Sequence, residues 1–184
     1  MLILASASPR RRELLGLLGI EFEVVPSEAE EITEGPPAEV VVENALRKAR
    51  AVAAGAGESL VLGVDTDVAV GGRLLGKAGD PDEARSHLRT LSGRDHEVLG
   101  GVALVRSGEE ATEVVSTTVT FRELTDDEVD AYVASGEWGD RAGAYAVQGL
   151  GAFLVERVEG DLSNVIGLPI PTLSRMIASL QNRE

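Results

Sequence analysis

The chain has 184 residues, 43% apolar and 26% charged, a composition suited to one globular domain spanning 1–184 and not to disorder. It contains no cysteine, which excludes disulfides, thiolate metal sites and cysteine nucleophiles, and its net charge of −14 argues against a nucleic-acid polymer or an anionic membrane as partner. No apolar run approaches the roughly 18 residues of a membrane span, and the N-terminus is apolar before it is basic, so a cytoplasmic protein is expected.

Strands alternate with helices along the chain, which makes the fold class α/β. Leu2 to Ala5 reads as a buried strand. Ser8 then caps a helix with Pro9 at its first position, and Gly19 ends it. Phe22 to Val25 is a second strand. An acidic loop from Ser27 to Gly35 leads into a helix from Pro36-Pro37 to about Ala54, with Asn44 and Lys48 side by side at i, i+4. Leu60 to Val64 is a continuous apolar run, typical of a strand covered on both faces, and is expected to end at Asp65-Thr66-Asp67. A hairpin with a Gly71-Gly72 turn follows, then a helix from Asp80-Pro81 to Gly93. Two long strands, about 97–105 and 113–122, turn at Ser107-Gly108. Thr125 and Glu128 form a capping box for a helix that stops at Gly136. A glycine-rich loop, Gly139 to Gly151, precedes a strand at about 153–158, and Pro169 and Pro171 open a last helix.

The chemistry is expected where strands pass into loops. The segment Ala5-Ser6-Ala7-Ser8-Pro9-Arg10-Arg11-Arg12 joins free backbone N–H groups and hydroxyls to guanidinium donors at a helix start, a combination that suits phosphate oxygens. A solvated basic helix start would read the same way. Asp65, at the end of a buried strand, must be paired, hydrated or ligating a metal, and a turn-capping role is the plainer reading. Asp67 can share its face. Only two of the 17 basic residues are lysine, Lys48 and Lys77. The acidic Glu28, Glu30 and Glu31 are solvated surface by default. Gly71 to Ala78 matches a Walker A loop in spacing, but Ala78 stands where a magnesium-binding hydroxyl is required and Pro81 breaks the helix that must follow. His87 and His96 lack metal-ligand spacing and read as surface or packing residues.

Taken in order, these segments resemble a known family. Ala5 through Leu15 is similar to the Maf signature ASxSPRRxELL, Gly63-Val64-Asp65-Thr66 to its GADT motif, and Gly76-Lys77 to its GKP turn. Leu91 to Gly93, Val119 to Arg122, Ala142 to Tyr145, Gln148-Gly149, and Gly160-Asp161 through Asn164 to Pro169 follow in the family's order, across essentially the whole chain. The resemblance implies an elongated, mixed, twisted β-sheet flanked by helices, with two lobes around a cleft, and often a homodimer. It implies hydrolysis of a nucleoside triphosphate to the monophosphate and pyrophosphate, with a divalent cation, Mg²⁺ or Mn²⁺, as cofactor. Asp65 matches the family's general base, Arg10 and Arg11, beside Ser8 in the same signature, its phosphate-contacting arginines, Lys48 and Lys77 its two lysines near the phosphates, and Glu31 an acid near the metal. Thr66 and Gln148 match positions tied to nucleotide choice, and Gln148 before Gly149 resembles the branch associated with dTTP and UTP. Three residues depart from the pattern: Asp67 where an apolar residue is common, Ala78 for proline and Arg141 for lysine. The competing expectation is a non-catalytic nucleotide-binding regulator of septum formation, which would keep the phosphate cradle without needing Asp65.

Overall fold

The computed structural model describes residues 1–181. Seven strands form one mixed sheet: β1 (Leu2–Leu4), β2 (Phe22–Val24), β3 (Leu60–Val70), β4 (Arg73–Leu74), β5 (Asp95–Arg106), β6 (Glu109–Phe121) and β7 (Val155–Glu159). The helices are α1 (Pro9–Gly16), α2 (Pro37–Ala53), α3 (Pro81–Leu91), α4 (Asp126–Ala134), α5 (Leu162–Ile166) and α6 (Ile170–Gln181). Among the described residues no helix is long and apolar enough to cross a membrane.

The strand order is β2-β1-β3-β5-β6-β7, parallel across β2, β1 and β3 and antiparallel from β3 onward. On one edge, β3 pairs continuously with β5 from Val61 to Ala69. On the other it pairs with β1 at residues 60–62 and with β4 only at 69–70. The chain leaves β1 at Ala5 to enter α1, so the middle of this edge has no neighbouring strand. The carboxylates therefore do not follow a strand that stops before them, as expected from the apolar run. Asp65 and Asp67 sit inside one long strand, because β5 keeps the hydrogen-bond ladder going past them.

Alternation along β3 puts Val61, Gly63, Asp65 and Asp67 on one face and Leu62, Val64, Thr66 and Val68 on the other. Helix α2 covers the first face through Ala45 and Ala49, while α1 and α6 pack with Leu62 and Val64 on the second. A third cluster gathers α3, α4, Val68, Phe121 and Tyr145 at the far end of the sheet. The approach of α2 is backbone to backbone. A Cβ on Gly63 would lie 2.0 Å from the Ala45 carbonyl oxygen, and one on Gly101 would lie 2.1 Å from that of Val41.

Local chemistry explains the helix ends. The Ser8 hydroxyl accepts from the Arg11 amide, Asp80 caps α3 through the amides of Asp82 and Glu83, and Thr125 and Glu128 complete their capping box. The long hairpin runs further than the sequence suggested, and the strand expected from Phe153 begins at Val155 because residues 149–154 form a 3-10 turn. The short α5, capped by the Asp161 carboxylate on the Ser163 amide, adds a turn that the sequence pattern does not signal. Both histidines are core residues: His96 is 3% exposed, with its Nε2 2.9 Å from the Tyr145 hydroxyl, and His87 is 8% exposed.

Two expectations follow. Gly63→Ala forces α2 off the sheet and should cost at least about 3 kcal/mol in urea unfolding, the upper range of overpacking. Burial holds the His96 imidazole neutral, down to a pKa of about 4 from 6.5. Its folded pKa is depressed, so this contribution is complete above pH 6.5 and is lost as pH falls toward 4, on the order of 3 kcal/mol in all. His96→Gln should flatten the stability–pH curve in that window; an unchanged slope would remove His96 as its source.

Candidate active site

The gap in the β3 edge opens onto a cleft of about 900 Å³, a size that takes a nucleotide. Its wall brings together Ser8, Arg10, Arg11, Glu31, Lys48, Asp65, Thr66, Lys77 and Gln148, the residues that the family resemblance marks, but not Arg12, Glu28 or Glu30. These come from the β1–α1 turn, the acidic loop, α2, β3, the hairpin and the glycine-rich loop, which only the fold makes neighbours.

Asp65 is the buried centre, 8% exposed. Its Oδ1 accepts from Lys48 Nζ at 2.6 Å and its Oδ2 from Asn44 Nδ2 at 3.3 Å. Lys48 and Asn44 lie one turn apart on the face of α2 that Gly63 admits to the sheet. The same ammonium reaches Glu31 Oε1 at 2.5 Å. Two carboxylates thus share one cation. Burial alone would raise the Glu31 pKa, but the hydrogen bond and charge of Lys48, aided by Lys77 and Arg11, hold it below the ordinary carboxylate range. The default of a solvated Glu31 is corrected: its side chain is half exposed, yet tied to the site.

Asn44 belongs to the site although no motif in the sequence marks it. Its Oδ1 accepts from the Ile32 amide at 2.8 Å, and its Nδ2 donates to the Ile32 carbonyl at 2.9 Å as well as to Asp65. It therefore fastens the acidic loop, and Glu31 with it, to the centre. Its position at i, i+4 from Lys48 was the available signal.

Arg11 is built into the opposite wall. It donates from Nε to the Gly167 carbonyl at 3.0 Å, from Nη1 to Ser6 Oγ at 3.3 Å and from Nη2 to Thr66 Oγ1 at 3.2 Å. Burial lowers its pKa and the charge of Asp65 opposes that shift. Thr66, facing away from Asp65, is occupied by Arg11 and by the Gly167 carbonyl at 3.4 Å. Among the described residues, Arg10 donates to the Asp140 carbonyl alone, from Nη2 at 3.5 Å. Lys77, 62% exposed at its side chain, stands 3.9 Å from the Asp140 carboxylate. The backbone bridge from Lys77 to Ala142 docks the hairpin on the glycine-rich loop.

Asp67 turns its Oδ1 to the amides of Val68 at 2.7 Å and Gly76 at 3.0 Å, which anchors the hairpin carrying Lys77. Burial, reinforced by the nearby Asp65 charge, raises its pKa to about 6. Gln148 is exposed at the cleft rim, and its side chain has no hydrogen-bond partner among the described residues.

Among the described residues no group of three or more acids and histidines forms a ready metal cage. Glu31 and Asp65, two hard carboxylates around one ammonium, fit a cation that keeps several waters and takes its remaining ligands from a substrate. The site thus sets cationic side chains at its rim around a buried acid.

The Maf-like protein family model matches residues 1–180, and the chain belongs to that family. It is 52% identical to the dTTP/UTP pyrophosphatase of Moorella thermoacetica over 181 residues, covering 96% of this chain and 93% of that protein. Similar matches are the dTTP/UTP pyrophosphatases of Syntrophus aciditrophicus, 48% identical over 98% of this chain and 89% of the relative, and Deinococcus radiodurans, 49% identical over 95% and 90%.

Asn44→Ala removes three hydrogen bonds and should cost about 2–3 kcal/mol of stability. Hydrogen exchange at the Ile32 amide should rise with it; protection equal to wild type would show that the acidic loop is held by other contacts.

Proposed function

We propose that this chain hydrolyses nucleoside triphosphates, dTTP and UTP foremost, to the monophosphate and pyrophosphate. The observation that carries the reading is the buried Asp65 carboxylate, paired with Lys48 on one oxygen and lining one cleft with Arg10 and Lys77. The names of relatives about 50% identical over nearly the full chain support the same reaction and the same nucleotides.

In this reading the triphosphate enters with its charge toward Arg10, Lys77 and Lys48, and Arg11 adds its positive field from the wall. A water oxygen attacks the α-phosphorus, the bond from that phosphorus to the bridging oxygen breaks, and pyrophosphate leaves. The water proton passes to Asp65. Its Oδ2 is the better placed acceptor, because Oδ1 is taken by Lys48 and Oδ2 has only the long contact to Asn44. Negative charge grows on the departing pyrophosphate, where Arg10 and Lys77 stabilise it. Glu31 and Asp65 are the residues that would hold Mg²⁺ or Mn²⁺, which when bound neutralises phosphate charge as a Lewis acid. Ser8 caps the helix that presents Arg10. Thr66, held by Arg11, shapes the wall, and Gln148 reads the base.

The buried ion pair argues for chemistry beyond binding. Binding a polyanion does not call for a carboxylate among the cations that hold it, since like charge repels the ligand, whereas a base for water does. A homodimer belongs to this reading too, supported by exposed Leu17, Ile20, Val24 and Val25 beside the outer edge of β2. The setting it implies is the cytoplasm, where nucleoside triphosphates are held.

With dTTP and Mg²⁺ or Mn²⁺ the first product should be pyrophosphate; orthophosphate would overturn the reading. Asp65→Asn should lower kcat by about 10²–10⁴-fold while nucleotide binding persists. Turnover within a few-fold of wild type would remove Asp65 as the base. Gln148 carries a donor and an acceptor, which match the N–H beside carbonyls on thymine and uracil, whereas a carboxylate only accepts. Gln148→Glu should therefore lower the dTTP-to-GTP ratio of kcat/KM, and an equal loss on both nucleotides would assign the residue a merely structural part.

A further inference from the structure

Glycine imposes little conformational preference on the glycine-rich loop, but two of the loop's amides are tied to one carboxylate. Glu137, on the turn after α4, accepts from the Leu150 amide through Oε1 at 3.0 Å and from the Gly151 amide through Oε2 at 2.7 Å. The same Oε2 accepts from the Tyr132 hydroxyl at 3.0 Å, and the Tyr132 oxygen accepts from the Ala146 amide at 3.1 Å. Three amides, on both sides of Gln148, thus hang from a two-residue relay. Gln148 is the one side chain of this stretch left at the cleft with donor and acceptor unspent.

The loop winds tightly around the relay. Gly149 has φ +81°, and a Cβ there would lie 2.3 Å from Glu137 Oε1; a Cβ on Gly151 would lie 2.0 Å from the Ala146 carbonyl oxygen. Tyr132 is 1% exposed in a helix whose start is fixed by a capping box, so the relay stands on rigid ground. The Glu137 amide donates to Ser135 Oγ at 3.2 Å, and Trp138 Nε1 donates to the Val133 carbonyl at 3.0 Å, which sets the turn.

We propose that Glu137, with Tyr132, is a positioning residue for nucleotide selectivity: it fixes residues 146–151 so that Gln148 meets the base edge in one orientation. The proposal rests on Gln148 as the base reader. The geometry requires a carboxylate. Glutamine offers one acceptor oxygen and would turn its NH₂ against either the Leu150 or the Gly151 N–H, leaving that amide unpaired. A selective amide needs such preorganisation, because a mobile one would pair with any base.

The test compares Glu137→Gln, Tyr132→Phe and Gln148→Glu in the full chain, with kcat/KM for dTTP and GTP, inhibition by inorganic tripolyphosphate, and amide exchange at residues 150 and 151. The first two variants should lower the dTTP-to-GTP ratio about three- to tenfold, the equivalent of one hydrogen bond. The loss should fall mainly on KM for dTTP, with faster exchange at those amides and unchanged inhibition by tripolyphosphate, which has no base to read. If Gln148→Glu shifts the ratio while folded Glu137→Gln and Tyr132→Phe do not, the relay is overturned and the base reader stands. If none of the three shifts it, the base reader fails and the relay falls with it. Weaker tripolyphosphate inhibition in parallel with the dTTP loss would also overturn the proposal, since the damage would then be general. Should Glu137→Gln fail to fold, Tyr132→Phe carries the comparison alone.

Discussion

Helix α2 lies on the sheet at backbone distance, and the site follows from that contact. Gly63 on β3 and Gly101 on β5 leave no side chain between the strands and the carbonyls of Ala45 and Val41. The helix therefore drops far enough for Asn44 and Lys48 to reach Asp65, two residues along β3 from Gly63. With a side chain at either glycine the ammonium would lift away from the carboxylate and leave a buried charge without a partner. A buried ion pair is tolerated only when its remaining groups are satisfied, and here Asn44 and Glu31 satisfy them.

The second constraint is topological. The sheet changes from parallel to antiparallel at β3, and one edge of that strand is shared between two short neighbours that do not meet. Backbone groups and side chains in the interval face a cleft in place of a strand. This is the same geometric logic that places ligands at the switch points of open α/β sheets. Around the interval the chain sets arginines and its only lysines, so that a protein of net charge −14 presents a cationic mouth. Salt screens the distant acidic surface, while charges inside the cleft act at short range.

Some of the arrangement was legible in the chain itself. The helix starts at Pro9, Pro81 and Asp126 follow from capping chemistry, which is local and reads from a few neighbouring residues. The α/β alternation and the scarcity of lysine were equally plain, and Lys48 and Lys77 both line the cleft. Strand ends were less legible. Asp65 looks like a terminus because an acid follows five apolar residues, yet β3 continues to Val70, since its length is set by β5 and not by its own composition. The glycine-rich segment reads as mobile because glycine has no intrinsic preference, and a carboxylate 14 residues upstream orders it. Glu31 reads as solvent-facing because nothing nearby in sequence pairs with it; Lys48 does so only once α2 is in place.

The sequence by itself determined what is local: the α/β class, the caps, the turns, the absence of thiol chemistry, and the set of residue types able to handle a polyphosphate. The tertiary structure decided which of those residues meet. It braced the half-buried Arg11 against Gly167 and Thr66, left Arg10 and Lys77 at the mouth, made Asp67 the anchor of a hairpin, and recruited Asn44 and Glu137 as supports. The physical reason is range. Capping and periodicity act within a few residues of chain, whereas hydrogen bonds and ion pairs at a site join groups far apart in sequence, and their partners are fixed by packing.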